Sequence, residues 1–422
     1  MNENLILKTL RVRPFLFLVL SEFFSQFAMN LLNFALLIVV FSISKSNTAV
    51  AGVVMAFTIP NILFGIFAGV MVDRWNKKTV LLMTNILRAL FVLPLVFFHN
   101  SLILIYLFTF LVSIVTQFFI PAETPIIPLL VKKKLLLSAN ALFGMGIYAS
   151  IFLAYALSGP FIYLFGKSNI FLVLFIIFLI AGFFTLLIKA NKSKIEPRIK
   201  HDEILNYKQE AKMVLKLISK TRNLYHALFS LTLAQIIILV FAAIGPGYAE
   251  QILKIKIESF PILFVTPAII GVVLGAMIIG SFLHKVSKSK LTKFGLFLMG
   301  ISILLLPYGS KVESRAIVQL LNWYLPHILT INIIHIMVFL AFVLGFSISF
   351  VFIPANTILQ EEASDESRGK IYGFLNTFIG IMSIIPVVLV GGLADLFGVK
   401  IIVTGIGIIV LLIALVRTII RQ

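Results

Sequence analysis

Residues 170–188 read IFLVLFIIFLIAGFFTLLI, a stretch with no charged side chain and a single hydroxyl group, that of Thr185. An α-helix needs about 20 mostly apolar residues to cross the hydrocarbon core of a bilayer, and this stretch has that length. A membrane β-strand would instead alternate apolar and polar residues. The stretch therefore predicts a transmembrane α-helix.

The whole chain shares this apolar character. Of its 422 residues, 60% are hydrophobic and only 12% are charged, and the mean hydropathy is +1.11. A soluble domain has about 45–50% apolar and about 25% charged residues, and its core cannot hide such an excess. The composition excludes a soluble enzyme, a nucleic-acid-binding module and a disordered scaffold. Because the chain has no cysteine, disulfides and thiolate metal sites are also excluded.

Twelve apolar stretches predict an all-α membrane protein with about twelve transmembrane helices. The first stretch is longer than the apolar region of a signal peptide, about 7–15 residues, so we expect it to be retained. The longest polar break divides the chain into an N-terminal six-helix bundle (1–189), a cytoplasmic linker (190–222) and a C-terminal six-helix bundle (223–422). The predicted spans are 14–41, 48–72, 79–98, 101–123, 139–165, 170–189, 223–248, 260–284, 291–308, 327–354, 370–394 and 399–417.

The distribution of basic residues predicts the orientation of these helices. With a cytoplasmic N-terminus, 27 of the 35 Lys and Arg residues fall in cytoplasmic segments and 7 in outside segments. Cytoplasmic loops carry the excess of Lys and Arg, so we expect both termini in the cytoplasm and the protein in the cell (inner) membrane.

Within the linker, basic residues at every fourth position predict an amphipathic surface helix, with a solvated basic linker as the alternative. These residues are Lys208, Lys212, Lys216 and Lys220.

The two predicted bundles share short internal repeats. Parallel six-helix repeats are typical of transporters, in which the substrate site lies between the repeats near the bilayer midplane. The pairs are Phe-Ile-Pro-Ala-Glu-Thr (119–124) with Phe-Ile-Pro-Ala-Asn-Thr (352–357), Gly-x-x-x-Asp-Arg (69–74) with Gly-x-x-x-His-Lys (280–285), and the glycine-bounded segments 159–166 and 391–398.

The loop after the second predicted helix resembles the signature of the major facilitator superfamily. It reads Gly69-Val-Met-Val-Asp73-Arg74-Trp-Asn76-Lys77-Lys78. Asn76 replaces the usual glycine, and because asparagine tolerates a left-handed backbone we expect that conformation here. Two further segments resemble the branch of macrolide-efflux and enterobactin-exporter-like permeases: Pro121-Ala122 with Ala139-Asn140-Ala141-Leu142, and Gln360-Glu361 with Arg368-Gly369-Lys370.

This resemblance implies a secondary active transporter that works by alternating access and is not an enzyme. The expected function is proton-coupled efflux, by antiport, of an amphipathic drug-like compound. The alternatives are an exporter or flippase of a lipid or siderophore-like metabolite, and a non-transporting membrane sensor or assembly factor. We expect a monomer in the lipid bilayer that binds a small-molecule substrate, with no cofactor, metal or nucleic acid.

The same resemblance implies that the signature loop is a gating latch between the two halves. Asp73 would accept hydrogen bonds from the amides at the start of the eleventh predicted helix, where the helix dipole favours negative charge. A plain positive-inside anchor is the alternative. The expected latch residues are Gly69, Asp73, Arg74, Lys77 and Lys78.

Ionisable side chains inside the predicted helices are candidates for proton coupling. Placing a charged side chain inside a bilayer costs at least a few kcal/mol, so we expect each of these residues to have a structural or functional role. Glu22 and Arg88 lie at similar depth in the first and third predicted helices, so an ion pair between them is possible. Glu123, at the inner end of the fourth, is expected to stay ionised, and His335 in the tenth would titrate near neutral pH. The alternatives for Glu22 and Arg88 are a permanent structural ion pair, or an Arg88 that extends to the inner surface while its helix faces lipid. The alternative for His335 is a hydrogen-bonded packing residue.

A polar stripe on the first predicted helix points to the substrate pathway. Glu22, Gln26, Asn30 and Asn33 are three or four residues apart and so share one helix face. Hydrogen bonding between helices is the alternative, because it uses the same residue types. The expected substrate-cavity residues are Gln26, Asn30, Asn33, Ser113, Gln117, Gln235 and Asn332, with Phe23, Phe27 and Phe34 beside the stripe.

Overall fold

The computed structural model describes residues 5–123, 125–189, 221–283, 285–309, 333–362 and 365–419. The predicted linker helix and Asn332 lie outside these ranges. All regular elements in the described part are helical. The long helices are α1 (Arg13–Ser44), α2 (Asn47–Asp73), α3 (Lys77–Val92), α4 (Leu102–Glu123), α5 (Leu136–Leu186), α6 (Arg222–Gly247), α7 (Thr266–Ser281), α8 (Lys288–Leu305), α9 (Ile333–Glu362), α10 (Asp365–Phe397) and α11 (Val399–Ile419).

Short helical segments join or extend several of these helices. Pro261 opens a π-helical turn that leads into α7, and a second π-helical turn continues α6. The short α-helices are Leu5–Leu10, Leu95–Phe98 and Ile127–Leu130; the 3-10 segments are Lys133–Leu135, Ile257–Ser259 and Leu306–Gly309; the π-helical turns are Tyr248–Leu253 and Pro261–Val265.

Eleven helical segments of the described chain are long and apolar enough to cross a membrane. One of them, Lys133–Leu186, has 54 residues, more than twice the length that a single crossing needs. Within it Gly166 has a left-handed, non-helical backbone (φ 75°, ψ 172°), which divides α5 into two helices. The eleven segments therefore amount to twelve crossings, and the predicted polytopic all-α fold is confirmed.

The internal repeat is visible in the backbone as well as in the sequence. Gly166 and Gly398 occupy equivalent places in the repeated glycine-bounded segments, and both have positive φ values, 75° and 85°. Only glycine adopts this conformation without a steric cost. A glycine with a positive φ therefore follows the equivalent helix in each half.

The ends of some helices differ from the predicted spans. The tenth predicted span covers 327–354, whereas α9 continues through Pro354 to Glu362. Pro354 does not end the helix, since neighbouring helices and side chains can satisfy the backbone carbonyl that it frees. The polar residues after it mark where the apolar stretch ends, and the helix itself continues beyond that point.

The described chain forms two compact units. The first consists of Met1–Ile43 and Met55–Leu205, and the second of Ser44–Val54 and Asn206–Gln422. In the first unit α3 packs against α4 and α5. An apolar cluster there surrounds the polar residues discussed below and includes Phe15, Leu18, Val80, Phe119 and Ala122.

In the second unit the helices approach one another through glycine. α9 packs against α6, α7 and α8, and α8 packs against α11. A Cβ atom placed on Gly271 would lie 2.1 Å from the Phe342 carbonyl oxygen, and one on Gly345 would lie 1.8 Å from that of Ala268. The α7 and α9 backbones are therefore in direct contact, as small residues allow in membrane helix pairs.

A buried carboxyl and arginine cluster in the first unit

The polar stripe of α1 is connected by hydrogen bonds along the helix. Glu22 is only 2% exposed, and its Oε1 accepts a hydrogen bond of 2.8 Å from Gln26 Nε2. Asn30 Nδ2 donates to the Gln26 carbonyl oxygen at 2.8 Å. Glu22, Gln26 and Asn30 therefore follow one another along one helix face, and the Gln26 amide holds the Glu22 carboxyl group in place.

Arg88 lies beside this stripe and is fully enclosed, with an exposed fraction of 2%. Its Nη1 donates to Ser25 Oγ on α1 at 2.9 Å, and its Nε donates to Thr116 Oγ1 on α4 at 3.2 Å. The guanidinium carbon lies 4.2 Å from the centre of the Phe119 ring, a favourable cation–π distance. Three helices therefore fix this buried positive charge.

The direct Glu22–Arg88 ion pair that the sequence suggests is not among the contacts of the described residues. The hydrogen bonds of Arg88 go to hydroxyl groups instead, and its attraction to Glu22 and Glu123 acts through space. The sequence predicts a similar depth for the two residues. It does not predict that Arg88 donates its hydrogen bonds to the hydroxyl groups of Ser25 and Thr116.

Glu123 completes the cluster from the inner end of α4. Its carboxyl group lies near enough to Glu22 and Arg88 to interact with both electrostatically. Glu123 Oε2 is buried and accepts from no donor in the described part of the chain. Two carboxyl groups and one guanidinium thus meet within a single unit.

Asn85 is a member of this site that the sequence analysis missed. Ser25 Oγ donates to Asn85 Oδ1 at 2.8 Å, and Asn85 Nδ2 donates to the Leu81 carbonyl oxygen at 3.0 Å. Asn85 is fully buried and lies one helical turn before Arg88 on α3. An amide three residues from a membrane arginine was the signal that could have revealed it.

Several predicted cavity residues of the first unit carry polar atoms without a partner. Asn33 Oδ1 on α1 and the Ser113 hydroxyl oxygen on α4 are buried, with no hydrogen-bond partner among the described residues, and the same holds for Thr109, a further residue of α4. Gln117 Nε2 donates to the Ser113 carbonyl oxygen at 3.2 Å. Buried polar atoms are nearly always satisfied, so these oxygens are free to bind water or a ligand.

The remaining candidates lie away from this cluster. In the second unit Gln235 is half-buried on α6, and His335 is exposed near the start of α9. A cavity of about 580 Å³ in the first unit is lined by none of the predicted cavity residues. Its walls are Arg74, Trp75, Asn76, Thr79, Val80, Met83, Thr84, Leu87, Val115 and Phe118.

The structure corrects one expectation about the latch loop. Asn76 is extended (φ −65°, ψ 114°) and not left-handed, and its side chain accepts from Thr79 N at the start of α3. Asparagine is favoured at this position because its side chain can cap a helix N-terminus. The residue therefore acts as a helix cap, and no glycine-like backbone is needed.

The other latch residues lie around this cap. Arg74 is exposed, Lys77 Nζ donates to the Val72 carbonyl oxygen, and Lys78 Nζ donates to that of Leu186 at 2.8 Å. Gly69 lies within α2. The side chain of Asp73 is outside what the structure describes, so the latch stays a prediction.

A capping carboxylate that the sequence does not predict is Asp395, in the last turn of α10. Its Oδ2 accepts from Ser46 Oγ at 2.6 Å, Thr48 N at 2.9 Å and Thr48 Oγ1 at 2.7 Å. Its Oδ1 accepts from Asn47 N at 2.7 Å and Asn47 Nδ2 at 2.9 Å. These contacts lie within the second unit and satisfy the free amides at the start of α2.

The described architecture defines a polytopic helical membrane protein with an internal repeat and a buried ionisable cluster. The family model of the Major Facilitator Superfamily matches residues 18–385. The chain therefore belongs to this superfamily and has its transporter fold. No curated protein matches it in sequence.

Solved transporter structures share this fold at low sequence identity. The nucleoside transporter NupG has a TM-score of 0.75 and 11% identity, covering 97% of this chain and 100% of its own. The peptide transporter PepTSo of the POT family has a TM-score of 0.70 and 14% identity, covering 96% and 97%. A bacterial homologue of the iron transporter ferroportin has a TM-score of 0.72 and 12% identity, covering 97% and 99%. At these identities the likeness shows the fold alone.

Proposed function

We propose that this chain is a proton-coupled antiporter that exports amphipathic compounds across the cell membrane. The observation that carries the proposal is the buried cluster of Glu22, Arg88 and Glu123. Ionisable groups inside a bilayer are costly, and in transporters they mark ion pathways and proton relays. A carboxyl group that gains and loses a proton as the site changes access would couple the proton gradient to transport.

The surroundings of the α1 stripe favour an amphipathic substrate. Phe27 stacks on Phe23 with ring centres 6.3 Å apart and meets Phe161 of α5 edge-on at 6.0 Å. Phe34 meets Tyr155 in the same way at 5.8 Å. Aromatic rings therefore adjoin the face that carries Asn30 and Asn33. A largely apolar site with a few polar groups fits a molecule that is itself largely apolar.

The proposed direction of transport, export, rests on the resemblance to efflux permeases. The distribution of basic residues supports only the orientation, with cytoplasmic termini. Export of a lipid or siderophore-like metabolite would use the same coupling site, so the choice of substrate is tested separately from the choice of ion.

Transport in proteoliposomes tests the proposal. With a panel of aromatic amphipathic compounds that includes ethidium, an imposed pH gradient should drive uphill movement by the parent protein. Glu22→Gln should abolish this uphill movement and preserve downhill exchange, because the variant can no longer release a proton from this position. Glu361→Gln is the control, since Glu361 is an exposed residue paired with Lys288 at 2.6 Å in the second unit. Uphill transport by Glu22→Gln at the parental rate would refute Glu22 as the coupling residue.

A further inference from the structure

Arg417, in the last turn of α11, is a half-buried cation that is held against α6 in the second unit. Its Nη1 donates to Ser230 Oγ at 2.6 Å, and its Nη2 donates to the His226 carbonyl oxygen at 3.4 Å. The guanidinium carbon lies 5.6 Å from the centre of the Phe229 ring, within the range of a cation–π contact. A guanidinium has five N–H donors, so the fixed side chain can still donate to a further acceptor.

A second basic residue, Lys293 on α8, lies at the same level as Arg417. A Cβ atom placed on Gly300 of α8 would lie 2.7 Å from Leu411 Cγ of α11, and a glycine of α11 meets α8 one turn further along in the opposite chain order. The two helices are therefore antiparallel and in close contact. Lys293 comes about two helical turns before Gly300, and Arg417 comes about two turns after Leu411. Both side chains therefore belong to the same end of this helix pair.

A third basic residue, Arg222, forms a basic cluster with Lys293 and Arg417. It begins α6 four residues before His226, so the two share a helix face. All three basic residues lie near enough to His226 to interact with it electrostatically. None of the three forms an ion pair in the described part of the chain, and Glu362, at the end of α9, accepts from a side-chain amide of α6 at 3.1 Å. Like charges without a carboxylate repel one another, which favours an anionic ligand among them.

We propose that the basic cluster binds the phosphate of an anionic phospholipid, with the acyl chains lying along α6 and α8. The membrane segment that begins at Arg222 has 32 residues, more than the about 20 that a crossing needs, so its first turns reach the headgroup layer. Basic pockets between membrane helices bind such headgroups, and the Arg417 guanidinium can hold two phosphate oxygens at once. Phe297, one turn beyond Lys293 on the same face of α8, is exposed. A lipid would cover this apolar surface, whereas a free phosphate ion would not.

Native mass spectrometry of the purified, delipidated full-length protein tests the site without a transport assay. Titrated in detergent, the parent should bind its first dioleoyl phosphatidylglycerol at least about tenfold more tightly than dioleoyl phosphatidylcholine. Lys293→Gln should weaken phosphatidylglycerol binding about fivefold, the contribution of one charge near the membrane surface. Arg417→Gln should weaken it further, because it also removes the paired donors. Lys400→Gln, which removes an exposed charge at the opposite end of α11, is the matched control and should bind as the parent does.

Equal affinity of the parent for the two lipids, or equal losses in Lys293→Gln and Lys400→Gln, would overturn the proposal. Inorganic phosphate, added at matched ionic strength, should not displace phosphatidylglycerol. If it does, the cluster is a site for a soluble anion and the lipid assignment is wrong. If Arg417→Gln fails to fold, Arg222→Gln replaces it in the test and should also weaken binding about fivefold. Because lipid binding is measured directly, a negative result here leaves the proposed transport function standing.

Discussion

The Ser25 hydroxyl accepts from Arg88 and donates to Asn85 Oδ1, with both bonds shorter than 3.0 Å. Because its own proton is committed to Asn85, the lone pairs of Ser25 Oγ are available for the guanidinium. Asn85 is oriented in turn by its bond to the Leu81 carbonyl oxygen. A buried cation is therefore held by neutral acceptors.

Replacing Ser25 by alanine should destabilise the protein measurably. Arg88 would lose a hydrogen bond in a fully buried site, which typically costs about 1–3 kcal/mol for a charged group. Thermal unfolding of the purified protein in detergent measures the change. Ser42→Ala is the matched control on α1, since Ser42 bonds only within its own helix, to the Val39 carbonyl oxygen, and its loss should cost under about 1 kcal/mol. Equal losses in the two variants would contradict this role for Ser25.

At the scale of elements, the contact between α7 and α9 depends on glycine. Gly345→Ala would place a methyl group against the Ala268 carbonyl oxygen, at 1.8 Å without rearrangement. Separating two packed helices should cost about 1–3 kcal/mol, as overpacking does elsewhere. The measurement is thermal unfolding together with the monodisperse yield from detergent extraction.

Gly405→Ala in α11 is the matched control, because a Cβ there meets nothing within 4 Å. Alanine in a helix is favoured over glycine by up to about 1 kcal/mol, so this variant should be as stable as the parent or more so. A decrease in Tm for Gly405→Ala as large as that for Gly345→Ala would show that the α7–α9 contact is not the cause.

The elements differ in how far a single sequence determines them. Residues 170–188 are recognisable as a membrane helix, because length and apolarity suffice. The end of α9 is not recognisable, because the apolar residues end near Pro354 whereas the helix continues to Glu362. Asn76 was assigned a left-handed backbone from its glycine-like place in a motif, although its capping propensity was equally visible. The hydrogen bond between Arg88 and Thr116 joins two helices that are separate in the sequence. The spacing of residues along the chain does not show which of the possible partners of Arg88 will contact it.

At the scale of the whole molecule, the orientation is open to a direct test. The chain has no cysteine, so single cysteines can be introduced without removing native ones. Cysteines at Met1, Asn206 and Gln422 should react with a membrane-impermeant thiol reagent only from the cytoplasmic side, and one at Ser310 only from the outside. This follows from the excess of basic residues in the segments assigned to the cytoplasm. One residue labelled from the opposite side would overturn the predicted topology.

The cap formed by Asp395 is a contact of the kind that the latch hypothesis assigns to Asp73. Asp395, in the last turn of α10, caps the first turn of α2. The latch hypothesis has Asp73, at the end of α2, accept in the same way from the free amides in the first turn of α10. Helix N-termini attract negative charge through their free amides and their dipole, so each carboxylate has the same physical reason to bind.

Asp73→Asn should therefore slow transport without loss of folding, because it removes a charge that acts in only one state of the transport cycle. A contact of about 1–2 kcal/mol shifts an equilibrium about 5–30-fold, which sets the expected decrease in the initial rate. The measurement is transport in proteoliposomes, with thermal unfolding of the same preparation. Asp73→Glu is the matched variant, since it keeps the charge and should retain much of the rate. If Asp73→Asn transports at the parental rate, Asp73 is not a latch and the loop serves only as a positively charged anchor.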